Sequence, residues 1–132
     1  MGINRFFEDT LGAKLNNPRQ SWGAINPDSN CVFLTVWEDQ IEPDGSGERA
    51  KIYNKKSVSN SQGYPERYKH IEAIRKGAEC FGVVIIARAP LTIPSREIDD
   101  FDTSTLLQLG GLTEDANYIY AHIVACIPTS TL

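Results

Sequence analysis

A stretch of the chain between Lys51 and His70 combines the two side-chain chemistries that bind nucleic acids. It reads KIYNKKSVSNSQGYPERYKH and contains five lysines and arginines, three tyrosines and one acid, Glu66. Lysine and arginine contact phosphate groups and so position a nucleic acid, while tyrosine rings stack on unpaired bases. The stretch therefore predicts a surface for a phosphate-bearing ligand, with a solvated helix face as the structural alternative.

This basic stretch is unusual because the chain as a whole is acidic. The net charge at pH 7 is −4, yet residues 49–76 hold eight lysines and arginines against two acids. The segments before and after this block each carry a net charge of −5. An acidic chain argues against indiscriminate nucleic-acid binding, although a local basic patch still attracts phosphates. We therefore expect a selective ligand rather than a general one.

Two groups of residues make up the predicted binding site. The cations expected to contact phosphates are Arg19, Lys51, Lys55, Lys56, Arg67 and Lys69. The aromatic residues expected to line a pocket for one unstacked base are Trp22, Trp37 and Tyr64. Such a pocket needs aromatic walls and a modest basic rim, and it does not need a high overall charge. Each of these aromatic side chains, taken singly, would also suit the hydrophobic core.

The sequence lacks the motifs that mark common catalytic sites. It contains no phosphate-binding loop and no dinucleotide fingerprint. Its only histidines are His70 and His122, which leaves few starting points for a nucleophile activated by histidine. The three cysteines have no C-x-x-C spacing, so we expect buried thiols in a reducing cytosol and neither a disulfide nor a zinc site. We therefore assign no catalytic residue, no metal ligand and no cofactor.

A small metal-dependent hydrolase or nuclease, acting on a nucleotide or a phosphorylated substrate, is the first alternative function. Glu38 and Asp39 would be its acids and His122 its base, because carboxylates at strand ends can hold a catalytic metal ion. In the structural interpretation, the acids lie in a solvated loop and His122 is hydrogen-bonded beneath a sheet, on one strand face with Tyr118 and Tyr120. His70 is expected in solvent.

A non-enzymatic adaptor that forms oligomers is the second alternative. The basic block of one copy would meet the acidic flanks of a neighbouring copy, and the mass in solution would depend on salt because such contacts are screened. The sequence leaves the oligomeric state open, and DNA, RNA, a nucleotide and an acidic protein all remain candidate ligands.

Hydrophobic periodicity predicts two helices and six strands, of which the one at residues 96–102 is a short edge strand or else a turn. The first helix spans residues 3–15. The second follows Tyr64, with Pro65 in its first turn and a buried stripe that includes Tyr68 and Ile71. Strands are predicted on both sides of the turn at residues 26–30 and over residues 49–54, 80–89, 96–102 and 117–127. Residues 42–48 are expected to form a loop, and residues 103–109 a helical turn that ends at the glycines 110 and 111.

These elements predict an α+β fold in a single domain over residues 1–132. Too few helices alternate with the strands for a doubly wound parallel sheet. A curled, mostly antiparallel sheet with two helices fits better, in the outline of a small PUA-like barrel. Residues 31–37 and 80–89 are apolar on both faces, which is typical of central strands. No apolar run reaches the ~18 residues of a membrane span, and the amino terminus lacks the pattern of a signal peptide. We therefore expect a cytoplasmic protein with no membrane partner.

Five segments of the chain, taken in order, resemble a group of bacterial modules found alone or ahead of HNH nuclease domains. They read SWGAI, VFLTVWEDQI, GYPERYKHIEAIRKG, FGVVIIARAP and REIDDFD. Such modules look like the DNA-reading parts of restriction or defence proteins. The resemblance implies a specificity domain for DNA, including DNA with modified bases. The chain has no HNH domain, so the resemblance implies a module that binds and relies on a separate nuclease subunit to cut.

Overall fold

The structure, a computed structural model, describes residues 3–13, 23–45, 47–55, 63–87 and 98–131. Two helices, eight strands and three short turns of other helix types occur in these ranges. In chain order they are α1 (Ile3–Arg5), a π-helical turn (Phe6–Thr10), β1 (Gly23–Asn26), β2 (Cys31–Trp37), a 3₁₀ turn (Glu38–Gln40), β3 (Ile41–Asp44), β4 (Gly47–Asn54), α2 (Gly63–Arg75), β5 (Glu79–Ala87), β6 (Ile98–Phe101), β7 (Thr105–Glu114), β8 (Tyr118–Pro128) and a 3₁₀ turn (Thr129–Thr131).

All eight described strands belong to one open sheet. Its order is β1-β2-β5-β7-β8-β4-β3, and β6 pairs with β5 beyond the residues that pair with β7. Only β2 and β5 are parallel, and the other described pairs are antiparallel. A parallel pair requires a crossover, which the chain makes through β3, β4 and α2. The predicted α+β fold, with a mostly antiparallel sheet and two helices, is confirmed, and the described strands do not close into a barrel.

Two apolar clusters lie on opposite faces of this sheet. The first contains Phe33 and Phe81, whose rings stack with their centroids 5.6 Å apart, and the phenylalanines of the π-helical turn cover it. The second lies beneath α2, where Ile71 is fully buried. Strand β2 contributes to both clusters because residues 31–36 are all buried. The prediction that this strand is central, with two apolar faces, is confirmed.

Helix α2 carries a buried arginine that connects two strands that are not neighbours in the sheet. Arg67 is 4% exposed. Its guanidinium donates hydrogen bonds to the carbonyl oxygens of Thr35 on β2, at 2.8 Å, and of Ile52 on β4, at 3.0 Å. The described pairing of β1 with β2 ends at Leu34, and a register shift in β4 skips Ile52. Arg67 therefore links β2 to β4 through α2 and supplies both buried carbonyls with a donor.

The buried side of α2 matches the prediction at Ile71 and differs from it at Tyr68. Tyr68 is 44% exposed, whereas Arg67 and His70 are only 4% and 5% exposed. The buried stripe runs through Arg67, His70, Ile71 and Ile74 at helical spacing. The prediction is wrong at Tyr68 because a hydrophobic pattern favours tyrosine over arginine as a core residue. The sequence does not reveal the two carbonyl groups to which Arg67 donates hydrogen bonds.

The predicted helical turn at residues 103–109 is wrong. Most of these residues belong to β7, which continues through Gly110 and Gly111. Leu109 and Leu112 are three positions apart, but their partners on β8 are only two apart, so β7 contains a β-bulge at the glycines. A Cβ atom on Gly110 would lie 2.6 Å from a side-chain atom of β8. The glycines therefore allow a bulge here instead of ending a helix.

Two predicted boundaries also change. The first helix is shorter than residues 3–15, because its last turn ends at Thr10 and Gly12 has a φ of +67°, a conformation that favours glycine. The predicted loop at residues 42–48 contains most of β3 and the start of β4, which pair as a hairpin. Within the described residues, no helix is long and apolar enough to cross a membrane.

Candidate functional site

One side of β4 and β8 combines cations with aromatic rings. The register places Arg49 opposite His122 and Lys51 opposite Tyr120, with Tyr118 opposite the end of β4. The alternate residues of β4 belong to the apolar cluster beneath α2, so these side chains point to the other side of the sheet. The cluster beneath the N-terminal helix contains no described residue of β4. We call Arg49, Lys51, Tyr118 and Tyr120 the cation–tyrosine face.

Each cation of this face lies against a tyrosine ring. Arg49 Cζ is 3.7 Å from the ring centroid of Tyr120, and Lys51 Nζ is 4.6 Å from that of Tyr118. Both distances are within the ~6 Å over which a cation attracts the face of an aromatic ring. The two tyrosine centroids are 6.0 Å apart. Tyr120 is 4% exposed and Tyr118 is half-buried, so the face presents the two cations with the tyrosine rings behind them.

A single carboxylate from β3 spans the two cations. Glu42 Oε1 accepts a hydrogen bond from Arg49 Nε at 2.8 Å, and Glu42 Oε2 is 3.9 Å from Lys51 Nζ. The three side chains are 27–32% exposed, so these ion pairs lie at the surface. Glu42 reaches them because β3 is the edge strand next to β4.

The turn between β7 and β8 anchors the ring beneath Arg49. Tyr120 donates its hydroxyl hydrogen to Asp115 Oδ2 at 2.7 Å, and Asp115 Oδ1 accepts the backbone N–H groups of Asn117 and Tyr118. These hydrogen bonds, with that from Tyr120 the largest cause, lower the pKa of Asp115 to about 2. The same hydrogen bond, followed by burial, raises the pKa of Tyr120 to about 12. Both groups therefore keep one charge state over the neutral pH range.

A second group of ion pairs extends this charged surface toward α2. Lys55 Nζ donates to the backbone carbonyl of Asp115 at 2.8 Å and lies 3.1 Å from Glu114 Oε2. The same Glu114 oxygen lies 3.7 Å from Arg75, which is also 2.8 Å from Glu72. Acids that precede the basic block and acids that follow it thus fold back onto its cations. Among the described residues, four of the eight cations of the basic block lie within 4 Å of an acid from outside it.

The structure places the predicted phosphate contacts at different locations. Lys51 lies in the cation–tyrosine face and Lys55 lies beside it at the end of β4. Lys69 is exposed on α2, which covers the opposite side of the sheet. Arg67 is a correction, because its buried guanidinium binds strand carbonyls and cannot reach a phosphate in solvent. The predictions for Arg19 and Lys56 lie outside the described residues.

The predicted base pocket is only partly described. Trp37 ends β2 and is half-buried against the cluster beneath the N-terminal helix. Trp22 lies outside the described residues, and the description of Tyr64 covers its backbone within α2 and not its side chain. The assignment of these three residues to one pocket therefore stays a prediction.

Both histidines occupy environments opposite to those predicted. His122 is exposed on β8, with Nδ1 3.9 Å from Asp44 Oδ2. His70 is buried, and its Nδ1 has no hydrogen-bond partner in the part of the chain that is described. Burial, and then the charge of Arg67, lower the pKa of His70 from 6.5 to about 4.

The remaining candidate groups are the acids after β2 and the three cysteines. Glu38 and Asp39 are exposed in the 3₁₀ turn after β2. In the described ranges, no three histidine, cysteine or acidic side chains come together as metal ligands. Cys126 is exposed, contrary to prediction, while Cys31 and Cys80 are buried and all three are free. Burial raises the pKa of Cys80 to about 12, so this thiol is not a ready nucleophile.

A cleft of about 380 Å³ lies between the end of α2, the start of β5 and the bulge of β7. Its lining includes the apolar residues Ile74, Cys80 and Leu109 and the polar residues Arg75 and Gln108. The sequence prediction missed this cleft because it treated the bulge as the end of a helix.

Sequence reasoning did not assign Arg49, Tyr118 and Tyr120 to the site. The alternation of tyrosines along the last strand was a usable signal, and so was the i, i+2 spacing of Arg49 and Lys51. Neither indicated that β4 and β8 are neighbours. In comparisons with known proteins, no family model, no curated protein and no solved structure matches the chain.

Proposed function

We propose that the protein is a nucleic-acid-binding module whose contact surface is the cation–tyrosine face. The observation that carries this proposal is the pair of ring–cation contacts, at 3.7 and 4.6 Å, on the side of β4 and β8 opposite the cluster beneath α2. Tyrosine rings and arginine planes on a sheet are surfaces on which bases stack, and neighbouring lysines contact the phosphates that follow.

The preferred ligand in this proposal has an unstacked base. Inside a duplex, the faces of the bases are already stacked, so a flat sheet cannot reach them without extruding a nucleotide. Single-stranded nucleic acid, or a base flipped from a duplex, offers the face directly. The resemblance to DNA-reading modules favours DNA, including DNA with a modified base, in a bacterial restriction or defence system. A separate nuclease subunit would then supply cleavage in the cytoplasm.

The acids around the face support a selective ligand over a general polyanion. Glu42 balances Arg49 and Lys51, and Glu114 balances Lys55. Phosphates must compete with these carboxylates, so contacts with phosphate alone should give weak binding. Stacking on Tyr118 must supply the additional affinity, which is the reason to test the ring and the cation separately.

The experiment is fluorescence anisotropy with a short labelled single-stranded oligonucleotide and its duplex, over a salt series. Tyr118→Leu should weaken single-strand binding by roughly fivefold to 150-fold, since one base stack is worth about 1–3 kcal/mol. Lys51→Gln should reduce the slope of log affinity against log salt by about 0.7, the value for one phosphate contact on a single strand. Both variants must retain the wild-type unfolding midpoint.

The matched control is Lys76→Gln, which removes one exposed cation from the turn after α2. It lies away from the face and should bind within about twofold of the wild type. If Tyr118→Leu and Lys51→Gln bind as tightly as Lys76→Gln, the cation–tyrosine face is not the nucleic-acid surface. If the wild-type protein binds neither form of the oligonucleotide at low salt, the proposed function is wrong.

A further inference from the structure

The contacts of Glu42 point to an anion site that is already filled by a side chain of the protein. We propose that Arg49 and Lys51 form a phosphate-binding site, which the Glu42 carboxylate occupies in the free protein and from which an incoming phosphate displaces it. The inference rests on the proposed function only in naming nucleic-acid phosphate as the displacing group.

The geometry of Glu42 is that of a bound anion shared between two cations. Its Oε1 atom lies 2.8 Å from Arg49 Nε and its Oε2 atom lies 3.9 Å from Lys51 Nζ. Two oxygens of one phosphate group can face the same pair of cations in the same way, because arginine accepts carboxylate and phosphate with similar geometry. The described hydrogen bond uses Arg49 Nε, and a guanidinium carries five N–H donors in all.

The two cations are held in place by groups other than Glu42. The Tyr120 ring lies beneath Arg49 and is itself fixed by its hydrogen bond to Asp115. The Tyr118 ring lies beneath Lys51. When Glu42 leaves, these rings still support the cations, so the site stays formed for the incoming phosphate.

The carboxylate itself can leave at little cost. Glu42 is 32% exposed, and ion pairs at such exposure are weak in water. It lies on β3, a strand of four residues that pairs with β4 at the end of the described sheet order. An edge strand with one neighbour has few contacts to lose when a side chain moves. A nucleic-acid phosphodiester, with one negative charge, can therefore exchange with the one carboxylate, and pyrophosphate, which carries more negative charge, can replace it more readily.

Glu42 could instead position Arg49 for the ligand, and this role predicts the opposite effect of neutralising Glu42 on anion binding. If Glu42 serves to position Arg49, its neutralisation should disorder the guanidinium and weaken anion binding. If Glu42 competes with the ligand, its neutralisation should strengthen anion binding. The sign of the effect of Glu42→Gln therefore decides between the two roles.

The experiment compares Glu42→Gln with two variants of equal net charge. Asp44→Asn removes an acid two residues along the same strand, near His122, and Glu48→Gln removes one from β4 on the opposite side of the sheet. The first probe is inorganic pyrophosphate, followed by NMR at the Arg49 Nε–Hε signal. The second is the labelled single-stranded oligonucleotide. We expect Glu42→Gln to bind both probes about two- to fivefold more tightly than either control, the gain from breaking one exposed ion pair.

Each outcome assigns success or failure separately to the site and to the function. Tighter pyrophosphate binding by Glu42→Gln, with no oligonucleotide binding by any variant, supports the anion site and rejects nucleic acid as its ligand. Oligonucleotide binding that depends on Tyr118, with Glu42→Gln equal to its controls, supports the function and rejects displacement of Glu42. If Glu42→Gln binds both probes no more tightly than the two control variants do, the inference is overturned, whatever the wild-type protein binds.

Discussion

Replacing Arg67 by methionine should lower the free energy of unfolding more than any change of a surface cation. The guanidinium is 4% exposed and donates to the carbonyl oxygens of Thr35 and Ile52, at 2.8 and 3.0 Å, and to the Thr35 hydroxyl at 3.2 Å. Methionine fills a similar volume but donates no hydrogen bond. Two strand carbonyls would then lose the donor that α2 supplies.

The size of the effect follows from two opposing contributions. A buried polar group that loses its partner costs about 1–3 kcal/mol, so two carbonyls cost roughly 2–6 kcal/mol. Removing a buried charge also removes the cost of its desolvation, which offsets part of this loss. We expect a net loss of about 2–4 kcal/mol, a large share of the ~5–15 kcal/mol by which a domain is stable.

The assay is urea unfolding followed by circular dichroism, with Lys69→Met as the matched control. Lys69 lies two residues from Arg67 and is exposed, so its replacement should change the stability by less than about 0.5 kcal/mol. Arg67→Lys should fall between the two, because one ammonium group cannot match the planar fork of arginine on two carbonyls. If Arg67→Met unfolds within about 0.5 kcal/mol of Lys69→Met, Arg67 does not hold β2 and β4 together.

Three further predictions concern pH and packing. The folded-state pKa of His70 is about 4, below its ordinary 6.5, so the folded protein binds fewer protons at this residue than the unfolded chain does. The free energy of unfolding should therefore keep its full value above pH 6.5 and fall by up to about 3 kcal/mol as the pH is lowered to 4. His70→Gln should remove this part of the pH dependence, as measured by urea unfolding across that range. Asp115→Asn should let Tyr120 ionise below its present pKa of about 12, as followed by the ultraviolet absorbance of the phenolate. Gly23→Ala places a Cβ 2.5 Å from a backbone oxygen of β2 and should cost about 1–3 kcal/mol in thermal unfolding, whereas Gly111→Ala, which meets no atom within 4 Å, should cost far less.

The sequence predicted the elements whose patterns have only one structural interpretation. The apolar run of β2, with both faces buried, could only be a central strand or a buried helix, and its length favoured the strand. Pro65 marked the first turn of α2. The prediction for β7 was wrong because Leu106 and Leu109 have helical spacing although their side chains belong to opposite apolar clusters. The glycines after them are compatible with the end of a helix as well as with a β-bulge. Only the pairing with β8 separates these interpretations.

The candidate site was less predictable because it depends on which strands are neighbours. The basic segment drew attention to Lys51, but its tyrosine partner Tyr118 comes from a strand more than sixty residues further along the chain. The same holds for Glu42 and Glu114, whose charges reach the basic block only through the strand order. Local patterns indicate which residues share a face of one strand, and they do not indicate which strand lies beside it.

The most direct test of the nucleic-acid surface is chemical-shift mapping with a short single-stranded oligonucleotide. Backbone amide signals of the protein are recorded as the oligonucleotide is added at low salt. The cation–tyrosine face predicts that the largest shifts lie on β3, β4 and β8, including Glu42, Arg49, Lys51 and Tyr118. Shifts confined to α2 around Lys69, or no shifts at all at saturating oligonucleotide, would contradict the proposal.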